Sequence, residues 1–275
     1  MRKILITGAN SYIGDSLKEY LVKEPDKYKV DILDTIGMIP TPELFIGYDV
    51  VFNVAGIAHR KETKENRSLY YAVNRDMVIK IAKAAKKAGV KQFILLSSMS
   101  VYGKKVGTIS KADKPKPINA YGKSKFQADI VIKKMAEDSF RFTCLRPPMV
   151  YGKGCRGNYQ SLRSFALKFP VFPLYNNSRS MIYIGNLCEF VKKCIDEEKS
   201  GLFFPQNDSY VNTSEMVRQI AECHGKKILF TKVFNFGIKI VPFGFVKKVF
   251  GNLTYERSDT VNKYNFIESI KATEE

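Results

Sequence analysis

The chain has 275 residues, 45% of them hydrophobic, and 45 Lys and Arg against 27 Asp and Glu give it a formal net charge of +18. That length suits one large α/β domain with a smaller annex, and the absence of any run of about 18 uncharged apolar residues argues against a membrane span. Five cysteines (Cys144, Cys155, Cys188, Cys194, Cys223) form no C-x-x-C pair, and the only histidines are His59 and His224; a disulfide framework, a metal site and a Ser-His-Asp triad are therefore not expected, and a reducing cytoplasm fits.

The first strand is read in "KILIT" (3–7), and because no apolar stretch followed by a polar cleavage region precedes it, a secretion signal is not expected. A turn, "TGANSYIG" (7–14), leads into a helix over 12–24 with apolar residues at Ile13, Leu17, Tyr20 and Leu21. Gly8 allows the tight turn, Gly14 the close approach of helix and strand, and the amides around Asn10, Ser11, Tyr12 and Ile13 face a pyrophosphate at the helix N-terminus. Ser11 stands where a middle glycine is expected and brings a hydroxyl that can donate to phosphate. The second strand, 28–34, ends on Asp34, about 20 residues after the turn, where an acid can hold a ribose 2′-OH. No arginine follows closely, which favours NAD over NADP.

A third strand is expected over 49–56, a long helix over 70–89 ended by Gly89, a strand over 91–98, a helix from Tyr121 to about Glu137, and a strand over 141–152 stopped by two prolines. This alternation predicts a doubly wound, Rossmann-like parallel sheet over 1–152. Residues 153–275 read as a smaller substrate-binding region packed on it, with some elements returning to the first domain and helices near 185–197 and 213–224. In "INAYGKSK" (118–125), Tyr121 and Lys125 share one helix face. A lysine there can favour ionisation of a phenol whose free pKa is about 10.

The basic residues are spread along segments such as "KIAKAAKKAGVK" (80–91) and "KKVGTISKADKPK" (104–116), with no block interleaved with stacking aromatics. Nucleic acid is not expected; anionic lipid or a phosphorylated small molecule fits better. The segment "VFNFGIKIVPFGFVKKVFG" (233–251) sets aromatic and aliphatic residues beside Lys239, Lys247 and Lys248. It suits either a weak contact with a membrane surface or a packed lid, and Pro242 interrupts any long helix.

Together "TGANSYIG", "VAGIAH" (54–59), "VNRD" (73–76), "LLSSMSVYG" (95–103), "YGKSK" (121–125) and "LRPPMVYGKG" (145–154) occur in the order expected of one family. The chain resembles the extended short-chain dehydrogenase/reductases, in their nucleotide-sugar epimerase/dehydratase branch, and more narrowly the bacterial capsule and O-antigen UDP-4-keto-sugar reductases and 4-epimerases. The resemblance implies an NAD- or NADP-dependent enzyme acting at C4 of a UDP-linked sugar for surface polysaccharide synthesis, working as a homodimer in the cytoplasm or at the inner face of its membrane. It implies that Tyr121 is the acid/base, that Lys125 holds the nicotinamide ribose and lowers the tyrosine pKa, and that Ser98 orients the sugar oxygen with Ser100 assisting. It further implies that Ala55, Gly56 and Asn74 line the cofactor site, and that Arg179 in "SRSMIYIGN" (178–186) clamps the diphosphate with Asn158 in "RGNY" (156–159). Met99 and Ser100 follow Ser98 where a dehydratase usually carries an Asp-Glu pair, so dehydration is disfavoured. Reduction of a UDP-4-keto-6-deoxy-N-acetylhexosamine is expected first, then 4-epimerisation, then action on a polyprenyl-linked sugar. A non-catalytic nucleotide sensor stands last, since such proteins commonly lose the Tyr or the Lys. Only 15 positions separate Asp34 from Asp49, too few for the extra helix and strand of larger relatives.

Overall fold

The computed structural model describes residues 1–58, 60, 62–233, 235 and 249–275; His59 and most of the aromatic, basic stretch read above as a membrane contact or lid lie outside them. In chain order the elements are β1 (Arg2–Thr7), α1 (Tyr12–Leu21), β2 (Tyr28–Leu33), β3 (Val50–Asn53), α2 (Arg67–Tyr71), α3 (Val78–Lys87), β4 (Gln92–Leu96), β5 (Gly107–Ile109), α4 (Ala120–Lys133), β6 (Arg141–Leu145) and β7 (Met149–Tyr151). They continue with α5 (Asn158–Lys168), β8 (Val171–Pro173), β9 (Met181–Tyr183), α6 (Ile184–Asp196), β10 (Gly201–Phe203), β11 (Gln206–Asn207), α7 (Thr213–Cys223), β12 (Leu229–Thr231), β13 (Leu253–Tyr255), β14 (Thr260–Val261) and α8 (Phe266–Glu274).

Two compact units form. The first comprises Met1–Gly103, Lys114–Pro147 and Cys188–Pro205; the second comprises Lys104–Asp113, Pro148–Leu187 and Gln206–Glu275. The crossing at Pro147–Pro148 lies just before the expected boundary at 152, because a proline has no N–H to continue a ladder. The single strand expected over 141–152 is thus two strands: β6 in the first unit, and β7, which pairs with β9 in the second. The stretch 104–113 is given to the second unit by the pairing of β5 with β13, a contact that no local pattern announces.

In the first unit all six strands run parallel in the order β10-β6-β4-β3-β1-β2. The order reverses between β1 and β3, and a crevice for ligands opens at the carboxyl ends of strands at such a point. Between β2 and β3 there is only a short 3₁₀ turn, Pro42–Phe45, so β2 is the sheet edge, in line with the shortness of that segment. Leu5, Val51, Phe93 and Leu95 of the sheet pack with Val78, Ile81, Ala82 and Ala85 of α3 and Ala128 and Ile132 of α4, and each such apolar side chain stabilises by about 1.5–3 kcal/mol when fully buried. Helix α4 ends at Lys133 rather than near Glu137: Glu137 and Phe140 pair backbone to backbone across a polar turn at Asp138 and Ser139. The long helix expected over 70–89 carries a π-helical turn, Ala72–Met77, between α2 and α3.

In the second unit α5 and α7 pack together and α7 meets α8. Helix α8 opens on a reciprocal Asn265–Glu268 capping box, and Glu274 near its end is bonded to Tyr159, Arg163 and His224. Among the described residues no helix is long and apolar enough to cross a membrane.

The turn after β1 depends on Gly8. Its φ is +114°, and a Cβ there would lie 2.8 Å from both N and Cα of Ala55. Gly8→Ala is expected to cost about 1–3 kcal/mol, as backbone strain plus a clash with main chain. Gly37→Ala, at φ +69° with nothing within 4 Å, carries the backbone cost alone. Urea unfolding should therefore place the midpoint of Gly8→Ala well below that of Gly37→Ala, and coincident midpoints would contradict the account.

Candidate active site

The site residues of the first unit gather at the carboxyl ends of β1, β3 and β4. Thr7 Oγ1 donates to Asn53 Oδ1 at 2.9 Å, and the amides of Val54 and Ala55 both donate to the Thr7 carbonyl, which locks the ends of β1 and β3 side by side. Asn10 takes φ +56°, and Ser11 caps α1, its hydroxyl accepting from the Gly14 amide at 3.4 Å. The missing middle glycine is thus replaced by a helix cap whose own O–H is still a donor. The first-turn amides of Tyr12 and Ile13 have no acceptor within the helix, and its positive end favours an anion. Gly14 is needed for packing, since a Cβ there would lie 3.0 Å from Val54 Cγ2 and 3.1 Å from Ile6 Cγ2. Asp34 is exposed just past β2, and one of its oxygens accepts the Ile36 amide at 3.0 Å; a carboxylate has acceptor capacity left for a ribose diol. A turn cleared by Gly8, an open helix N-terminus and an exposed acid beyond β2 together fit a dinucleotide.

Ala55 is buried and Gly56 exposed at the end of β3. A Cβ on Gly56 would lie 2.9 Å from Asn74 Oδ1 and 3.0 Å from Lys125 Nζ, so the glycine is what lets both side chains reach this loop. Asn74, fully buried in the π-helical turn, accepts from the Ile57 amide at 2.7 Å and donates to the Ile57 carbonyl at 3.1 Å and to Ser124 Oγ at 3.4 Å. The geometry shows Asn74 as a clamp on the loop, with its amide turned inward.

The acid/base candidates come from β4 and α4. Ser98 caps the 3₁₀ turn Met99–Tyr102; its hydroxyl donates to Ser100 Oγ at 3.2 Å, accepts from the Ser100 amide at 3.1 Å and lies beside the Tyr121 phenol. Ser97, the neighbour, is buried and donates to Asp129 instead. Asn119 caps α4 by accepting from the Gly122 amide at 2.8 Å. Gly122 brings the helix against the serine turn, because a Cβ there would sit 2.7 Å from the Ser100 carbonyl oxygen. Tyr70 meets the Tyr121 ring edge-on, with centroids 6.4 Å apart.

Burial pushes the Tyr121 phenol up, the neighbouring Ser98 hydroxyl draws it down, and the charge of Asp129 pushes it further up. Lys125 donates to the Leu96 carbonyl at 2.9 Å. Burial pushes its ammonium down to about 8, against the opposing pull of Asp129. The expected depression of the tyrosine by the lysine is not what the geometry shows: the two share a helix face, but the ammonium is turned to the end of β4. The sequence reading also passed over Asp129, though it stands four residues after Lys125 as Lys125 stands after Tyr121, and over Arg146, whose Nε donates to Asp129 Oδ2 at 3.1 Å.

Arg179 and Asn158 belong to the second unit. The Arg179 backbone pairs with Val211 and Leu253, and its guanidinium donates to the Gly251 carbonyl at 2.7 Å. Among the described residues it forms no ion pair with a carboxylate, and burial draws its pKa down, as for a desolvated cation. Asn158 is the exposed first residue of α5. Among the described residues no cluster of three His, Cys, Asp or Glu could hold a metal ion.

The NAD dependent epimerase/dehydratase family model matches residues 4–202. Over 80% of its length the chain is 32% identical to UDP-glucose 4-epimerase of Vibrio cholerae, covering 75% of that protein. Over 82% it is 29% identical to the N-acetyl-alpha-D-glucosaminyl-diphospho-ditrans,octacis-undecaprenol 4-epimerase of Escherichia coli O157:H7, covering 73% of it. Solved structures with the same fold include UDP-glucuronic acid 4-epimerase from Bacillus cereus in complex with NAD, at TM-score 0.76 and 19% identity over 98% of this chain and 96% of that one. Another is dTDP-4-dehydrorhamnose reductase from Bacillus anthracis in complex with NADP, at TM-score 0.75 and 18% identity over 99% of both chains.

Lys125 supplies a test by stability. Its folded pKa, about 8, lies below the ordinary 10.5, so the unfolded chain binds the proton more tightly and the buried charge costs stability below pH 8. That cost is relieved as pH rises from about 8 towards 10.5. Lys125→Met should therefore melt above wild type at neutral pH, with an advantage that shrinks through this window. A constant or growing gap in thermal melts would contradict the assignment of a strained buried ammonium.

Proposed function

Because the chain belongs to the NAD dependent epimerase/dehydratase family, we propose that it is an NAD-using 4-epimerase of a hexose carried on a diphosphate, with a UDP-linked sugar as first candidate. The observation that carries the reading is the placing of the Ser98 hydroxyl and the Tyr121 phenol side by side at the end of β4, where Lys125 of the same helix bonds the Leu96 carbonyl at 2.9 Å. Two 4-epimerases among the relatives, at 32% and 29% identity, move the balance from reduction to epimerisation.

The dinucleotide, when bound, supplies hydride acceptance and return at the sugar carbon. The chain's own residues do the rest. Gly8 and the first turn of α1 hold the pyrophosphate, and Asp34 holds the adenosine ribose, which favours NAD. Ser98 fixes the C4 oxygen beside the phenol. Tyr121 takes the hydroxyl proton as the phenolate and, as the phenol so formed, gives it back to the same oxygen when hydride returns. Burial pushes the phenol up, so its ionisation depends on the neighbouring Ser98 hydroxyl and on the positive charge that an oxidised nicotinamide would bring. Lys125 binds the nicotinamide ribose and keeps a positive charge beneath the reacting group. Arg179, desolvated and without a carboxylate partner among the described residues, clamps the diphosphate bidentately. Met99 and Ser100 after Ser98 offer no carboxylate for loss of water, which leaves dehydration without its second acid/base.

Reduction of a 4-keto sugar remains the second reading, since the same three residues serve it and a UDP-4-keto-sugar reductase of Pseudomonas aeruginosa is 24% identical. Incubation with NAD and UDP-glucose or UDP-N-acetylglucosamine, followed by NMR, is expected to yield the 4-epimer with no net change in reduced-nicotinamide absorbance. Inert UDP-hexoses, together with stoichiometric consumption of NADH by a UDP-4-keto-6-deoxy-N-acetylhexosamine, would overturn epimerisation in favour of reduction. Inert UDP-hexoses with inversion of a polyprenyl-diphosphate sugar would instead replace the UDP carrier. Tyr121→Phe should lower turnover by about 10² or more while leaving NAD affinity near wild type; near-normal turnover would remove Tyr121 from the chemistry.

Arg179→Ala should raise the Michaelis constant more than it lowers kcat, as expected for binding energy remote from the reacting carbon. Calorimetry with UDP alone checks this: equal affinity in mutant and wild type would rule the clamp out.

A further inference from the structure

Groups from α4, the end of β4, the 3₁₀ turn and β6 converge on one carboxylate that the reaction scheme above does not use. Asp129 is 4% exposed on α4, one turn beyond Lys125. Its Oδ2 accepts from Ser97 Oγ at 2.9 Å and from Arg146 Nε at 3.1 Å. Arg146, at the end of β6, also donates to the Tyr102 hydroxyl at 2.7 Å and lies over the rings of Tyr102 and Phe126. Cys144 of β6 borders the same carboxylate. The segment Leu96–Ser97 is therefore fastened to α4 twice, by Lys125 at the Leu96 carbonyl and by Asp129 at the Ser97 hydroxyl. The next residue is Ser98, whose hydroxyl lies beside Tyr121.

We propose that Asp129 is a positioning residue for the reaction: its carboxylate holds the Leu96–Ser98 strand end against the helix face of Tyr121 and Lys125, and supplies the counter-charge for the buried Lys125. The inference rests on the roles given above to Tyr121 and Lys125. Without Asp129, two cations, Lys125 and Arg146, are left in one dry pocket, and the cheaper escape is for Lys125 to lose its proton, because a guanidinium does not. The groups facing Asp129 are Lys125 and Tyr121 from α4, Ser97 from the end of β4, Tyr102 from the 3₁₀ turn, and Cys144 and Arg146 from β6. Burial pushes the Cys144 thiol well up, so among these it stays uncharged and Lys125 is the group free to respond. The same spacing that pairs Tyr121 with Lys125 thus continues to a third member that sets the charge of the second.

The test compares Asp129→Asn, Asp129→Glu and Ser97→Ala with wild type and Tyr121→Phe. Lysines carry ¹³C at Cε, and Lys125→Met assigns the Lys125 signal in the cofactor-free protein. In Asp129→Asn the Lys125 midpoint is expected to fall by about one pH unit or more, the lower end of the effect of a nearby opposite charge. The alkaline limb of kcat should fall with it, with kcat down about tenfold or more and the sugar KM little changed. Asp129→Glu should restore the midpoint. Ser97→Ala keeps the charge and loses one fastening, so it should lower kcat with the midpoint unmoved. An unmoved midpoint in Asp129→Asn overturns the counter-charge role, and a normal kcat in Ser97→Ala overturns the positioning role. If Asp129→Asn does not fold, the midpoint in Asp129→Glu decides the first: a shift of the kcat limb without a matching shift of that midpoint overturns it. A fully active Tyr121→Phe would instead defeat the underlying site assignment, whatever the Asp129 variants do.

Discussion

Burying the Lys125 ammonium costs desolvation energy, and the arrangement around it exists to offset that cost. The Leu96 carbonyl accepts its proton at 2.9 Å, and Asp129 stands one turn away. Meeting the first condition brings α4 down onto the end of β4; meeting the second obliges the helix to bury a carboxylate, which in turn needs Arg146 and Ser97. Gly122 and Gly56 complete the fit by removing side chains where the helix meets the serine turn and where Lys125 and Asn74 meet the β3 loop. A face that would ordinarily be apolar thus carries Ser124, Lys125 and Asp129 among its buried residues.

Much of this was legible from residue spacing. The strand–turn–helix at 3–21, the parallel alternation, the shared face of Tyr121 and Lys125 and the abbreviated stretch before Asp49 are all local patterns, and the fold follows them. What was not legible depends on partners distant in sequence. The pairing of β5 with β13 draws residues 104–113 into the second unit, and no periodicity within ten residues encodes a partner some 150 positions on. The prolines at 147 and 148 signalled a stop but not that the chain resumes in another sheet. The direction of the Lys125 side chain, and so its weak hold on Tyr121, depended on which carbonyl it would meet. Asp129 and Arg146 were not singled out, since nothing short of their mutual pairing reveals burial.

Under the proposed function, reduction and epimerisation make the same demands on Ser98, Tyr121 and Lys125, so those residues would not separate the two. The readings differ in whether the dinucleotide leaves after each turnover. In the second unit, Arg179 is desolvated, its guanidinium donates to the Gly251 carbonyl, and among the described residues it meets no carboxylate.

The sheet stops at β2, and the loop that follows is held where Met38 packs against the core, where Phe45 enters it, and where the Tyr48 hydroxyl donates to Asp31 at 3.0 Å. Around Met38, the residues Asp34, Ile36, Gly37 and Ile39 are exposed. Ile36 and Ile39 can thus change at little cost to folding, while Met38 cannot. If Asp34 holds the ribose as proposed, the preference between two forms of a coenzyme could drift in residues that the core leaves unconstrained.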